Sequence, residues 1–163
     1  MTLKIYNSGV EQRKPGYTVL AGASIMEGQP LQISPSDNTG ATIDLANGVT
    51  SAIGFALETN IAPVSPSVDY DNYNRGGKMS LVCGMGVEIG IANSEGRGSP
   101  YDTTQTYKVG QKLYVSASKL VTNQSNGDAI GVVTKVPVSA TDELKFKSLI
   151  SGRFLLTAII LAE

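Results

Sequence analysis

From Thr18 onward the apolar residues of this 163-residue chain recur at every second position, in short segments divided by glycine, proline, asparagine and aspartate. Leu31 and Ile33 flank Gln32, and Ile43 and Leu45 flank Asp44. Ile53, Phe55 and Leu57 share one side of their segment, as do Val87, Ile89 and Ile91. Leu113 with Val115, and Ile130 with Val132, repeat the pattern. A period of two with turn residues between predicts β-strands. Each such side chain contributes about 1.5–3 kcal/mol when fully buried, so the set predicts an all-β fold, a small barrel or sandwich. Helical spacing is scarce. In "SATDELKFKSLI", Ser139 or Thr141 fits an N-cap with Glu143 in the first turn, yet "LKFKSLI" also alternates.

Two stretches are nearly the same. "GQPLQIS" starts at Gly28 and "GQKLYVS" at Gly110; downstream, "AIGFALETN" starts at Ala52 and "AIGVVTKVP" at Ala129. Glycines and strand-formers are kept and no reactive group is, which predicts a duplicated β-unit, about residues 18–61 and 107–138. Gly28 and Gly110 suit turns with positive φ. Gly54 and Gly131 suit a bulge or a close approach of backbone. A polar hairpin is expected after each repeated strand, "PSDNTG" at 35–40 and "TNQSNGD" at 122–128. Residues 1–17 are polar, with Leu3, Ile5 and Tyr6 alternating, and read as an N-terminal arm ahead of a single β-domain at 18–163. Long surface loops are expected at 62–78, rich in proline and tyrosine, and at 93–107. The apolar run "FLLTAIILA" at 154–162 is too short to span a bilayer and reads as a buried strand.

Composition narrows the chemistry. Lys+Arg of 13 against Asp+Glu of 14 gives a net charge of −1, unlike the basic balance of most nucleic-acid binders. The opening residues lack the apolar core of a secretory leader, and one cysteine allows no internal disulfide, which suits a reducing cytoplasm. Histidine is absent, which removes Ser-His-Asp and Cys-His catalysis and histidine-bearing zinc sites. Cys83, between Val82 and Gly84, reads as a small buried hydrophobe. "GMGVEIG" at 84–90 has the wrong spacing for a dinucleotide loop and leads into a strand, so it reads as a glycine-rich turn. "DYDNYN" at 69–74 lacks the glycine and late glutamate of a calcium loop. No enzyme, cofactor, metal, nucleic acid or membrane is expected.

The segments "LAG-x-x-I-x-x-G-Q-P-L" at 20–31, "AIGFALE" at 52–58 and "YKVGQKLYVS…KLVTN…AIGVVTKVP" at 107–137 resemble the small all-β head decoration, or capsid cement, proteins of tailed bacteriophages. The resemblance covers roughly residues 19–137, leaving out the 62–78 loop and the tail after Arg153. It implies a structural virion protein, made in the host bacterial cytoplasm. Such a protein binds the outer surface of the head as a homo-oligomer, trimer or dimer, on major capsid protein and stabilises it. The expected contacts are Leu3, Ile5, Tyr6, Arg13 and Lys14 of the arm, and Tyr70, Tyr73, Arg75 and Lys78 of the loop. The arm is expected to add a strand to a neighbour's sheet edge. Competing expectations are a tail- or fibre-associated β-domain and a carbohydrate-binding barrel. The latter is weakened by the absence of tryptophan and would use Tyr70 and Tyr73.

Overall fold

The chain is all-β. The computed structural model describes residues 3–6, 12–48, 52–60, 78–92, 99–122, 127–139 and 142–151, and at 12–15 the backbone alone. Five strands close a barrel in the order β2 (Gln12–Val19), β4 (Thr42–Leu45), β3 (Pro30–Ile33), β5 (Gly54–Ala56) and β6 (Lys78–Cys83). The remaining strands form a six-stranded sheet in the order β1 (Leu3–Ile5), β7 (Glu88–Ile91), β11 (Leu144–Ser148), β10 (Gly131–Lys135), β8 (Lys112–Ser116) and β9 (Lys119–Val121). Residues 144–148, whose sequence suits a helix or a strand, take the strand: Leu144 and Phe146 are buried and Lys147 is exposed.

Strands β2–β6 and β7–β11 repeat one pairing pattern, and the repeated letters are its fasteners. Leu31 faces Gly54 across β3 and β5, and Leu113 faces Gly131 across β8 and β10. The Ile53 amide donates to the Leu31 carbonyl at 2.7 Å, and Ile130 donates to Leu113 at 2.8 Å. Gly28 donates to Ala56 at 2.8 Å, and Gly110 to Val133 at 2.9 Å. Both glycines sit at positive φ, 87° and 82°, where other residues are strained. The glutamine after each glycine explains itself. Gln29 Oε1 accepts the Met26 amide at 2.7 Å, and Gln111 Oε1 accepts the Lys108 amide at 3.0 Å. Each side chain closes the turn that its own backbone makes.

The matched pairing extends beyond residues 18–61 and 107–138. Ala56 pairs with Leu81 as Val133 pairs with Phe146, so β6 matches β11. Val19 pairs in parallel with Ile43, and Tyr101 makes a parallel bridge with Leu120 at the matching place. The units therefore run over residues 12–83 and 88–148, joined by the glycine turn at 84–87. The 62–77 stretch falls inside the first unit, between β5 and β6, and its structure lies outside the described residues. The counterpart of the "PSDNTG" hairpin is the two-residue turn Ala117–Ser118, both at positive φ (45° and 65°), a geometry that suits the twist of a tight hairpin. The "TNQSNGD" stretch lies instead between β9 and β10. Within the stretch 1–17 expected as an arm, Leu3–Ile5 and residues 12–17 are strands of the body. Arg13, Lys14 and Pro15 conceal a barrel strand from a reading based on hydrophobicity.

Gly54 and Gly131 mark close approach. A Cβ at Gly54 would lie 2.6 Å from Leu81 Cδ1 and 2.7 Å from the Val82 carbonyl oxygen. At Gly131 it would lie 2.7 Å from Phe146 Cδ2 but 3.4 Å from the Lys147 carbonyl. A ring can tilt away, whereas a ladder carbonyl cannot. Gly54→Ala is expected to lower unfolding free energy by about 1–3 kcal/mol, and Gly131→Ala by less. Equal urea midpoints for the two variants would contradict this difference.

The units are alike inside but packed asymmetrically. Pro30, Phe55 and Val82 are paired across β3, β5 and β6 and so share one face, the face opposite the barrel interior of Leu31 and Leu81. They are nevertheless buried, because this outer face closes the open second sheet. The Phe55 ring lies 5.2 Å from Phe146, tilted by 58°. Around it, a Cβ at Gly28 would meet Ile91 at 3.0 Å, and Gln29 Nε2 donates to the Ser118 carbonyl at 3.4 Å. One continuous core runs from Leu31 and Ile43 through Phe55 to Leu113 and Phe146. The matching turn of the second unit is bare: Gly110 has open space around it and Val109 is 68% exposed.

The β3–β4 hairpin is fixed by Asp37, whose carboxylate accepts the Thr39 hydroxyl, the Thr39 amide and the Thr42 amide. These bonds hold its carboxyl well below the ordinary 3.8. A depressed folded-state value stabilises the fold above the unfolded value and is lost as pH falls through the folded one. Asp37→Asn is therefore expected to shrink the drop in urea midpoint between pH 7 and pH 3. An unchanged drop would place acid sensitivity elsewhere.

Candidate functional site

The described surface carries a cluster of charged side chains around the N-terminal strand and the outer face of the sheet it joins. Leu3–Ile5 add a strand, as their alternation predicts, but to β7 of the same chain: Leu3 faces Ile91 and Ile5 faces Ile89. Leu3 is buried and Ile5 packs at the margin of the core. The Leu3 amide donates to Glu27 Oε1 at 3.1 Å, and Glu27 is itself buried in the turn of the first unit. β1 thus ties the two units together.

Tyr6 is anchored, although 44% exposed. Its hydroxyl donates to the Glu143 carboxylate at 2.7–2.8 Å, and Lys145 Nζ stands 3.4 Å above the ring. Lys145 also pairs with Glu143 at 3.7 Å. The cluster lies over Gly90, where any Cβ would run into Glu143 and Tyr6. Glu88 beside it accepts the Thr134 hydroxyl at 2.8 Å. Cation–π and charge-assisted bonds of this kind fix a strand end. They present charge to solvent.

The other expected contact residues scatter. Arg13 and Lys14 pair through backbone with Val82 and Leu81 in the barrel; their side chains lie outside the described residues. Lys78 opens β6, exposed, opposite Thr18, and so belongs to the barrel and not to the sheet of Leu3 and Tyr6. Tyr70, Tyr73 and Arg75 lie outside the described residues, as do the "DYDNYN" stretch and the apolar tail.

Tyr101 and Tyr107, within the stretch expected as a polar surface loop, are buried. Their rings meet edge-on at 5.7 Å. The Tyr101 hydroxyl donates to the Asp142 carbonyl, and that of Tyr107 to the carbonyls of Asp102 and Leu120, at 2.8–3.0 Å. Burial, with the Asp102 charge next, pushes the Tyr107 hydroxyl far above its usual value. These hydroxyls are structural donors, since a buried phenol needs a partner. Tyr107 fills the place that Ile25 fills in the first unit. Only the alignment of the repeats through Gly28 and Gly110 identifies that inward position.

Cys83 is buried, and among the described residues no group of three or more His, Cys, Asp or Glu could hold a metal ion. No protein-family model matches the chain, and no curated protein or solved structure is significantly similar to it.

Proposed function

We propose that the chain is a structural binding protein of a tailed-phage virion, seated on the outer surface of the head and stabilising it. The observation that carries the reading is where the family-like residues fall. The Gly-Gln turns at 28–29 and 110–111, with the Ala-Ile-Gly entries to β5 and β10, make the matched hydrogen bonds of the duplicated unit. The resemblance thus rests on the residues that build the body. A duplicated, interlocked β-body without long-range cross-links suits a part made in many copies and held by packing. Its partner is major capsid protein, and several copies act together as a homo-oligomer, because avidity multiplies weak single contacts by about 10²–10⁴.

Co-sedimentation of the purified chain with expanded heads lacking a decoration protein tests this. Saturable binding and a raised temperature of head disruption are expected. Absence of binding would remove the reading, and binding to glycans or to tails in its place would move the chain to the carbohydrate or tail class.

A further inference from the structure

The asymmetry between the units leaves one face exposed that its twin buries. In the first unit the row Pro30, Phe55 and Val82 is the docking face. In the second unit the same register positions are Lys112, Val132 and Lys147. Lys112 and Lys147 are exposed, and Val132 is half-buried between them. Lys145 and Lys4 lie on the same face one row along, opposite one another across Gly90, and Lys119, paired with Ser116, continues the face on β9. Two carboxylates share the face and are outnumbered by these lysines: Glu88, which faces Lys147 across the β7–β11 pair and accepts the Thr134 hydroxyl, and Glu143, held by Tyr6 and Lys145. Among the described residues Lys112 and Lys147 have no ion-pair partner. A chain of net charge −1 therefore gathers lysine on one sheet face.

We infer that this outer face of the second sheet, with Lys112 and Lys147 flanking Val132, docks on an acidic protein surface. The inference rests on the head-binding reading, and names the face that meets the shell. A patch in which lysines outnumber carboxylates steers an oppositely charged partner. Nucleic acid is the less suited occupant. The face carries point-charge lysines without the arginine forks that grip phosphate, and its only described aromatics are Tyr114, half-buried, and Tyr6, pinned beneath Lys145.

The test is binding of wild-type chain and of Lys112→Glu/Lys147→Glu to expanded decoration-free heads, at low and at high salt, with a duplex DNA column alongside. The variant is expected to bind at least about tenfold more weakly, and wild-type binding is expected to weaken as salt rises. The urea midpoint reports whether the variant folds; should it not, Lys112→Gln/Lys147→Gln removes the charge without reversing it and is expected to weaken binding in the same direction. Undiminished binding by a folded variant would make the lysines a solvated face and overturn the inference while leaving the head-binding reading intact. Failure of the wild-type chain to bind heads would remove both. Retention of the wild-type chain on duplex DNA, lost in the variant, would overturn the inference in favour of a nucleic-acid face.

Discussion

Phe55→Ala is expected to lower unfolding free energy by about 3–5 kcal/mol, a large part of the roughly 5–15 kcal/mol typical of a domain. Phe55 is fully buried although it points out of its own barrel. Its ring enters the core of the second sheet and meets Phe146. Truncation therefore opens a cavity between the units that the hydrogen-bonded strands around it cannot collapse to fill. The loss is expected as a fall in urea midpoint for both units together, since one core runs through them. A double-mutant cycle with Phe146→Ala is expected to show coupling of about 0.5–1.5 kcal/mol for the aromatic pair. A midpoint unchanged by Phe55→Ala would mean that the two sheets are not packed through this residue.

Removal of residues 1–6 is the second large effect. It withdraws Leu3 from the core, about 1.5–3 kcal/mol of burial. It also takes the Leu3 amide from the buried Glu27 carboxylate, about 1–3 kcal/mol. The Tyr6 anchor on Glu143 and Lys145 goes with it. The edge of β7 is left open, and an unpaired edge invites association. The truncated chain is expected to unfold at clearly lower urea and to aggregate on storage. Faster hydrogen exchange at Gly90, which faces Lys4, would locate the damage. An unaltered midpoint would show that β1 contributes nothing. Deletion of the N-terminus is for the same reason a poor test of partner binding: lost binding would follow from a damaged sheet as readily as from a lost contact.

Much of the fold could be read from residues whose roles demand a particular side chain. A positive φ favours glycine, and the turn at Gly28 and Gly110 uses the side-chain amide of Gln29 and Gln111, so those letters recur and expose the matched units. Strand β6 and its counterpart β11 need only alternation and size, so "KMSLVC" and "LKFKS" have no residue in common at matching positions and the full extent of the matched pairing stays hidden. Leu3–Ile5 is too short to distinguish a body strand from an arm. Gln12, Arg13 and Lys14 place polar letters, and Pro15 a strand-breaking one, on a barrel strand. Tyr101 and Tyr107 sit in a polar context and bury hydroxyls that backbone carbonyls satisfy, which sequence does not reveal. Of the proposed docking face, alternation alone implies that Lys145 and Lys147 share a side. That Lys112 stands across Val132 from them depends on the pairing of β8, β10 and β11.

The most direct measurement is a cryo-electron-microscopy reconstruction of expanded heads saturated with the chain. The expected result is added density on the outer surface, in repeated copies, with the sheet face of Lys112, Val132 and Lys147 turned to the shell. Heads without added density would contradict the proposed function, and density with that face turned to the medium would contradict the proposed mode of binding.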